Sequence, residues 1–185
     1  MGEASIAGTR LVVTRSDITA QRVDVIVNAA SSTLLGGGGV DGAIHRRGGP
    51  AILEECRRLR AGRLAGGLPP GHAVSTTAGD LPAARVVHTV GPVWQGGSHG
   101  EAEVLAQAYT RVLDCVRDEG FRTVAFPSIS TGAYGYPMEE AARVAISAVV
   151  AWLRAHPGTL VEVRFVQFSG DAFETWTRVL ETVES

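Results

Sequence analysis

A three-layer α/β domain around a central mixed, mostly parallel sheet is the fold this sequence predicts. Three observations point to it. Apolar runs with strand character alternate along the chain with amphipathic helical segments. The run Val25-Ile26-Val27 is continuous rather than alternating, the pattern of a strand covered on both faces. The length of 185 residues suits one domain, which can bury about 70% of its unfolded surface without a disulfide or metal staple. Residues 1–185 are therefore read as a single domain.

Taken in order, strands are expected at residues 10–14, 24–29, 73–77, 85–90, 123–126 and 161–168. Helices are expected at 40–59, 101–119, 137–155 and 172–183. In the second of these, Leu105, Ala108, Tyr109, Val112 and Val116 recur at three- and four-residue steps and make one apolar face. The third opens on Pro137, a residue favoured at the first helical position. Glu139 and Glu140 follow it near the positive end of the helix dipole. Residues 62–71, which include Gly66-Gly67-Leu68-Pro69-Pro70-Gly71, read as a surface loop.

Composition narrows the function. The 17 basic and 19 acidic residues leave a net charge of −2. No overall basic field exists to hold nucleic acid by phosphate neutralisation, so any such contact has to come from a local site. Cys56 and Cys115 match no metal or redox spacing; two buried thiols or one disulfide are the two readings. Residues 1–10 lack the apolar core of a signal peptide. The longest apolar stretch, 144–153, contains Ser147 and is far short of a membrane span. A soluble, cytoplasmic protein with no membrane contact is the expectation.

Glycine is the compositional oddity, at 23 residues. Gly36-Gly37-Gly38-Gly39 follows a strand and opens a helix at Val40. Such a loop lets a ligand approach the main chain, and the helix start supplies unpaired N–H groups, which together make an anion site. A flexible loop is the plain alternative. No Gly-Lys-Ser/Thr follows, so it is not a P-loop, and the glycines lack dinucleotide-fingerprint spacing. A second loop, Ser128-Ile129-Ser130-Thr131-Gly132-Ala133-Tyr134-Gly135-Tyr136-Pro137, also links a strand to a helix. In a parallel sheet both emerge at the carboxyl edge, where ligands bind, and two such loops suit a pyrophosphate. Tyr134 is placed either to lay its ring over a sugar or to pack on the following helix.

Polar side chains near these loops are few. Asp17 either accepts from an exocyclic amine such as that of adenine or caps a helix. Asn28 and Ser31 bracket the end of the second expected strand. Asp41, in the first helical turn after the glycines, is kept ionised by the dipole. It either orients a water or stabilises the helix end. His45 shares its helix face, as a ligand contact or a packed ring. No His, Cys and carboxylate cluster has metal spacing, and no metal or cofactor is called for.

At these residues the chain resembles the macrodomains, specifically those of MacroD type. The resemblance runs from about Thr14 to Phe168. It rests on Asp17-Ile18-Thr19, on Val25 through Ala30, and on Gly36 through Arg46. It also takes in His88-Thr89-Val90-Gly91-Pro92-Val93-Trp94 and Phe126 through Pro137. It implies an ADP-ribose pocket in which Asp17 and Ile18 hold adenine beside Phe168. Gly37, Gly38, Gly39 and Val40, with Ser130, Thr131, Gly132, Ala133 and Tyr134, would cradle the diphosphate. Asp41 would sit by the distal ribose with Ser31 in contact there, the two being the catalytic pair, and Asn28 and His45 would be further ligand-binding residues. The implied activity is a monomeric hydrolase that removes mono-ADP-ribose from proteins or from DNA bases by water attack at the distal ribose. The alternatives are a non-catalytic ADP-ribose reader and an O-acetyl-ADP-ribose deacetylase. Two departures from the family pattern stand out: Ser31 replaces its usual Asn, and Ser16 replaces a Gly. A serine offers one hydroxyl where an amide offers a separate donor and acceptor, a difference of ~0.5–1.5 kcal/mol at that contact.

Overall fold

The computed structural model describes residues 2–183. Among them the order is β1 (Gly2–Ile6), β2 (Thr9–Arg15), a 3-10 turn (Ile18–Ala20), β3 (Val25–Ala29), α1 (Gly39–Gly48), α2 (Pro50–Ala61), β4 (Ala73–Thr77) and β5 (Arg85–Thr89). There follow α3 (Glu101–Asp118), β6 (Thr123–Phe126), α4 (Met138–Ala155), β7 (Glu162–Gln167) and α5 (Gly170–Glu181). The strands form one sheet in the order β1-β2-β7-β6-β3-β5-β4. The five inner strands pair in parallel, and the edge strands β1 and β4 are antiparallel to their neighbours. The expected mixed, mostly parallel sheet is what forms.

Apolar residues cover both faces, which explains the unbroken runs. Val25 and Val27 of β3 face one core with Val124, Phe126, Val163 and Phe165, beneath α3, α4 and α5. Ile26, Val86, Ala125 and Val166 face the other, beneath α1 and α2. In the first core Phe165 sits between Phe126 and Trp176, with ring centroids 6.1 and 5.2 Å away.

Four features depart from the sequence expectation. Strand β1 was not expected: it is a short edge strand containing Gly2, Glu3 and Ser5, with little β-forming signal. The helix expected over 40–59 is two helices, because Gly49 takes φ +78° and Pro50 starts α2, where its missing N–H costs nothing. Pro137 is the residue before the first turn of α4 rather than within it. Within the 62–71 loop, Leu68 is buried. Both cysteines are free thiols, Cys56 buried and Cys115 only half-buried. No helix among the described residues is long and apolar enough to cross a membrane.

Phe165→Ala removes a fully buried ring from the centre of the larger core. It should cost about 3–5 kcal/mol. Urea unfolding should show the loss as a lower midpoint at nearly unchanged slope.

Candidate functional site

Every inner strand delivers its carboxyl end to one cleft. From β2 come Asp17 and Ile18, from β7 Phe168, from β6 Ser128–Tyr134, from β3 Ser31 and the glycine run, and from β5 Gly91. The cleft has two basins. A larger one of about 660 Å³ is lined by Asp17, Ile18, Gly39, Val40, Arg46, Thr131, Gly132 and Phe168 among others. A smaller one of about 370 Å³ is lined by Ser31, Gly37, Gly38, Asp41, Gly91, Ser130, Ala133 and Tyr134 among others. Gly39, Val40, Ser128 and Gly132 line both, so the two loops meet at the waist.

Backbone N–H groups dominate that waist. Those of Gly37, Gly38, Gly39 and Val40, and of Thr131 through Tyr134, donate to no protein acceptor among the described residues. Gly38, the residue at the N-terminal cap of α1, offers no side-chain hydrogen bond, whereas Ser169 caps α5 with its own hydroxyl. The positive end of α1 is thus left open to the cleft. A Cβ added at Gly38 or Gly132 would meet nothing within 4 Å, while one at Gly37 would lie 3.1 Å from Asp41 Oδ2.

Side chains of the second loop hold the loop itself. Ser130 adopts φ +68°, a left-handed conformation unusual for a serine, and its Oγ donates to the Pro92 carbonyl at 2.8 Å. Thr131 Oγ1 donates to the Ser128 carbonyl or hydroxyl at 3.1 and 2.8 Å. Gly91 makes this fit possible, since a Cβ there would stand 2.1 Å from Ser130 Oγ. Beyond Gly91 the chain is anchored by Glu101, which is buried. Its carboxylate accepts from the N–H groups of Gln95, Gly97 and His99 at 3.0, 2.8 and 2.6 Å. Burial opposes ionisation of Glu101, but these donors outweigh it and bring its pKa down to about 2.

Asp17 fulfils the capping reading: its Oδ1 accepts from Thr19 N–H and Thr19 Oγ1 at 2.8 and 2.7 Å. The same two bonds lower its pKa, so it lines the larger basin as an ionised acceptor. Phe168, at the rim, is 87% exposed, an apolar ring left for something else to cover. Tyr134 lines the smaller basin, half-buried. Ser31 also lines it, with Oγ 2.9 Å from Thr33 Oγ1. Behind that rim Arg60 donates to the carbonyls of Thr33, Leu64 and Ala65, and Leu68 N–H donates to the Ser32 carbonyl at 2.8 Å.

Asp41 is buried and is the one carboxylate lining the smaller basin. Burial pushes against its ionisation, but His45 and Asn28 more than compensate and hold the carboxyl below its ordinary pKa. Asn28 Nδ2 donates to Asp41 Oδ1 at 2.9 Å, and His45 Nε2 stands 3.3 Å from the same oxygen at ion-pair distance. Neither Asn28 nor His45 lines either basin; both stand behind Asp41. His88, Thr76 and Cys56 were not singled out as site residues, yet they join this cluster through the buried His88 ring. Among the described residues no group of His, Cys, Asp and Glu is arranged to hold a metal ion.

A mostly parallel sheet whose carboxyl edge carries a capless glycine run, a facing second loop and one buried carboxylate defines a known class of α/β domain. The chain belongs to the macro domain family, whose model matches residues 27–145. It is 55% identical to a macro domain-containing protein of Streptomyces coelicolor, over 91% of this chain and 96% of that one. It is 51% identical to a Citrobacter koseri protein named O-acetyl-ADP-ribose deacetylase, over 93% and 96% of the two chains. Among solved structures, the Oceanobacillus iheyensis macrodomain with ADP superimposes with a TM-score of 0.93 at 38% identity, covering 97% of this chain and 94% of that one. The Trypanosoma brucei macrodomain in complex with ADP-ribose gives 0.83 at 37% identity, covering 91% and 68%.

Glu101 supports a pH prediction. A carboxyl whose folded-state pKa lies below its ordinary value of 4.5 adds stability at higher pH, lost as pH falls toward about 2. Glu101→Gln should lower the melting temperature at pH 7 and flatten its decline between about pH 5 and pH 2. Thermal melts of both proteins across that range check it.

Proposed function

We propose that this protein is a hydrolase that binds ADP-ribose and cleaves groups attached at its distal ribose, releasing free ADP-ribose from a conjugate or from its acyl ester. The observation that carries the reading is the ionised Asp41 carboxylate in the smaller basin, one waist away from a pocket with an acidic acceptor and an exposed aromatic ring. Asp17 would accept the adenine amine, Ile18 and Phe168 would flank the base, and the uncommitted N–H groups of both loops would hold the diphosphate. The distal ribose would then reach Ser31 and Asp41. The relatives named O-acetyl-ADP-ribose deacetylase support ester cleavage at that end.

Asp41 Oδ1 is engaged by Asn28, which leaves Oδ2, on the Gly37 side, to orient a water. A carboxylate with a lowered pKa is a weak base, so its work would be to place the attacking water and, where the bond broken is at the anomeric carbon, to stabilise the developing positive charge. The second carboxylate of a two-acid glycosidase has no counterpart in the smaller basin. Acyl esters at the ribose, in O-acetyl-ADP-ribose or at protein carboxylates, are the substrates the reading favours. Incubation with those two and with thymine-linked ADP-ribosyl DNA, followed by detection of free ADP-ribose, tests it. Release from none of them, with tight ADP-ribose binding, would make the protein a reader.

ADP-ribose at ~100 times its Kd should stabilise the fold by about 2.7 kcal/mol, or roughly 5–10 °C in Tm. Gly132→Glu should leave the unliganded Tm nearly unchanged, because its Cβ enters open space, and should reduce affinity at least about tenfold by adding like charge beside the diphosphate. Unchanged affinity in calorimetric titration would place the diphosphate elsewhere.

Asp41→Ala should lower kcat by about 10²–10⁴ while ADP-ribose affinity stays within about tenfold. Turnover at the unmutated rate would remove Asp41 from the mechanism.

A further inference from the structure

His88 lies within β5, completely buried, and touches neither basin. Its neighbours come from four elements: Asn28 of β3, Thr76 of β4, Cys56 of α2, and His45 and Asp41 of α1. Asn28 Nδ2 is 2.9 Å from Asp41 Oδ1 and 3.1 Å from His88 Nδ1. An amide nitrogen carries two hydrogens, so it can serve both acceptors at once, provided Nδ1 is bare. On the other side of the ring, Nε2 is 2.8 Å from Thr76 Oγ1 and 3.9 Å from Cys56 Sγ. Thr76 Oγ1 is itself 3.0 Å from the Thr77 carbonyl, which can only accept.

These distances leave one consistent assignment. Thr76 gives its hydrogen to Thr77 and accepts from His88 Nε2–H, so His88 is neutral with Nδ1 bare. Burial, and then the nearby His45, push its pKa down to about 4, with the Asp41 charge offsetting only part. Donation therefore runs one way, from Asn28 to both Asp41 and His88, from His88 to Thr76, and from Thr76 to Thr77. Turning the Asn28 amide over would aim its oxygen at two acceptors, Asp41 Oδ1 and His88 Nδ1. Asp41 and His88 together forbid that turn, and His88 takes the hydrogen that Asp41 does not.

We propose that His88 is a positioning residue for Asp41, acting through Asn28: by accepting one amide hydrogen it commits the other to Asp41 Oδ1 and leaves Oδ2 to the cleft. Its effect on turnover rests on the hydrolase reading above, but its effect on Asp41 itself does not. A histidine that only filled the core would have no fixed tautomer, and if it acted on Asp41 only through its charge, a neutral acceptor in its place would not restore the ionisation of Asp41.

The test reads both quantities directly. In the unmutated protein at neutral pH, 15N shifts should show His88 protonated on Nε2 and bare on Nδ1. Carboxylate 13C titration should then follow Asp41. His88→Phe keeps a ring and removes the acceptor, and should raise the Asp41 midpoint by about one pH unit. His88→Asn restores an acceptor close to the place of Nδ1, and should return the midpoint most of the way. The acid limb of kcat should move in the same order, with kcat for His88→Phe about tenfold down and KM little changed. A proton on Nδ1 in the unmutated protein overturns the proposal, even if His88→Phe does not fold. An unchanged Asp41 midpoint in folded His88→Phe overturns it too. Should no conjugate be hydrolysed while the Asp41 midpoint shifts as described, the hydrolase reading fails and the positioning role stands.

Discussion

Parallel pairing of β3 with both β5 and β6 is the constraint from which the cleft follows. It brings the carboxyl ends of three neighbouring strands to one edge, and the loops that leave them have nowhere to go but past one another. The approach is close enough that Gly91 and Ser130 nearly coincide at the position of a side chain. β2 and β7, on the outer side of β6, extend the same edge and supply the larger basin. Strand order in the sheet is thus the order of subsites along the cleft, from Asp17 and Phe168 at one end to Ser31 and Gly91 at the other.

Labour in this cleft is divided between main chain and side chains. Most polar side chains at the waist serve the scaffold: Ser130 holds Pro92, Thr131 holds Ser128, and Glu101 gathers three N–H groups from the chain leading away from Gly91. The backbone donors around them are left unspent. Donors of this kind are fixed by the fold and lose little side-chain entropy when something binds. Asp41, the carboxylate of the smaller basin, faces the cleft instead and has the most elaborate support behind it. Four elements contribute to the chain of hydrogen bonds from Asp41 to Thr77.

Much of this was legible in the residues. The inner strands announced themselves because both faces are buried and their apolar runs are continuous. The two loops were visible because glycine clusters between a strand and a helix have few other uses. Strand β1 was not legible, since pairing along an edge, rather than its own residues, makes it a strand. The break at Gly49-Pro50 is masked in the sequence, because apolar residues at helical spacing run on from Val40 and Ile44 of α1 to Ile52 and Cys56 of α2. His88 is harder. A histidine in a strand carries no pattern, and its importance comes from contacts with residues 60 positions before it and 12 before it. Asn28 and Asp41 were found separately, but that one amide serves Asp41 and a buried ring together is a fact of three dimensions.

The rim around Ser31 is tied to a part of the molecule that never meets the nucleotide pocket. Arg60 grips the Thr33 carbonyl together with those of Leu64 and Ala65, and Leu68 is bonded to Ser32. The 62–71 stretch therefore acts as a splint on the outer lip of the smaller basin. It is itself held at two points, by Leu68 buried in the second core and by Gly71 N–H on the Val90 carbonyl, so changes between those anchors reach the lip before they reach the sheet. If the proposed reading holds, the grip on the nucleotide and the choice of what is attached to it would fall to separate stretches of chain, one a pair of strand-to-helix loops and the other a splint braced from outside the cleft.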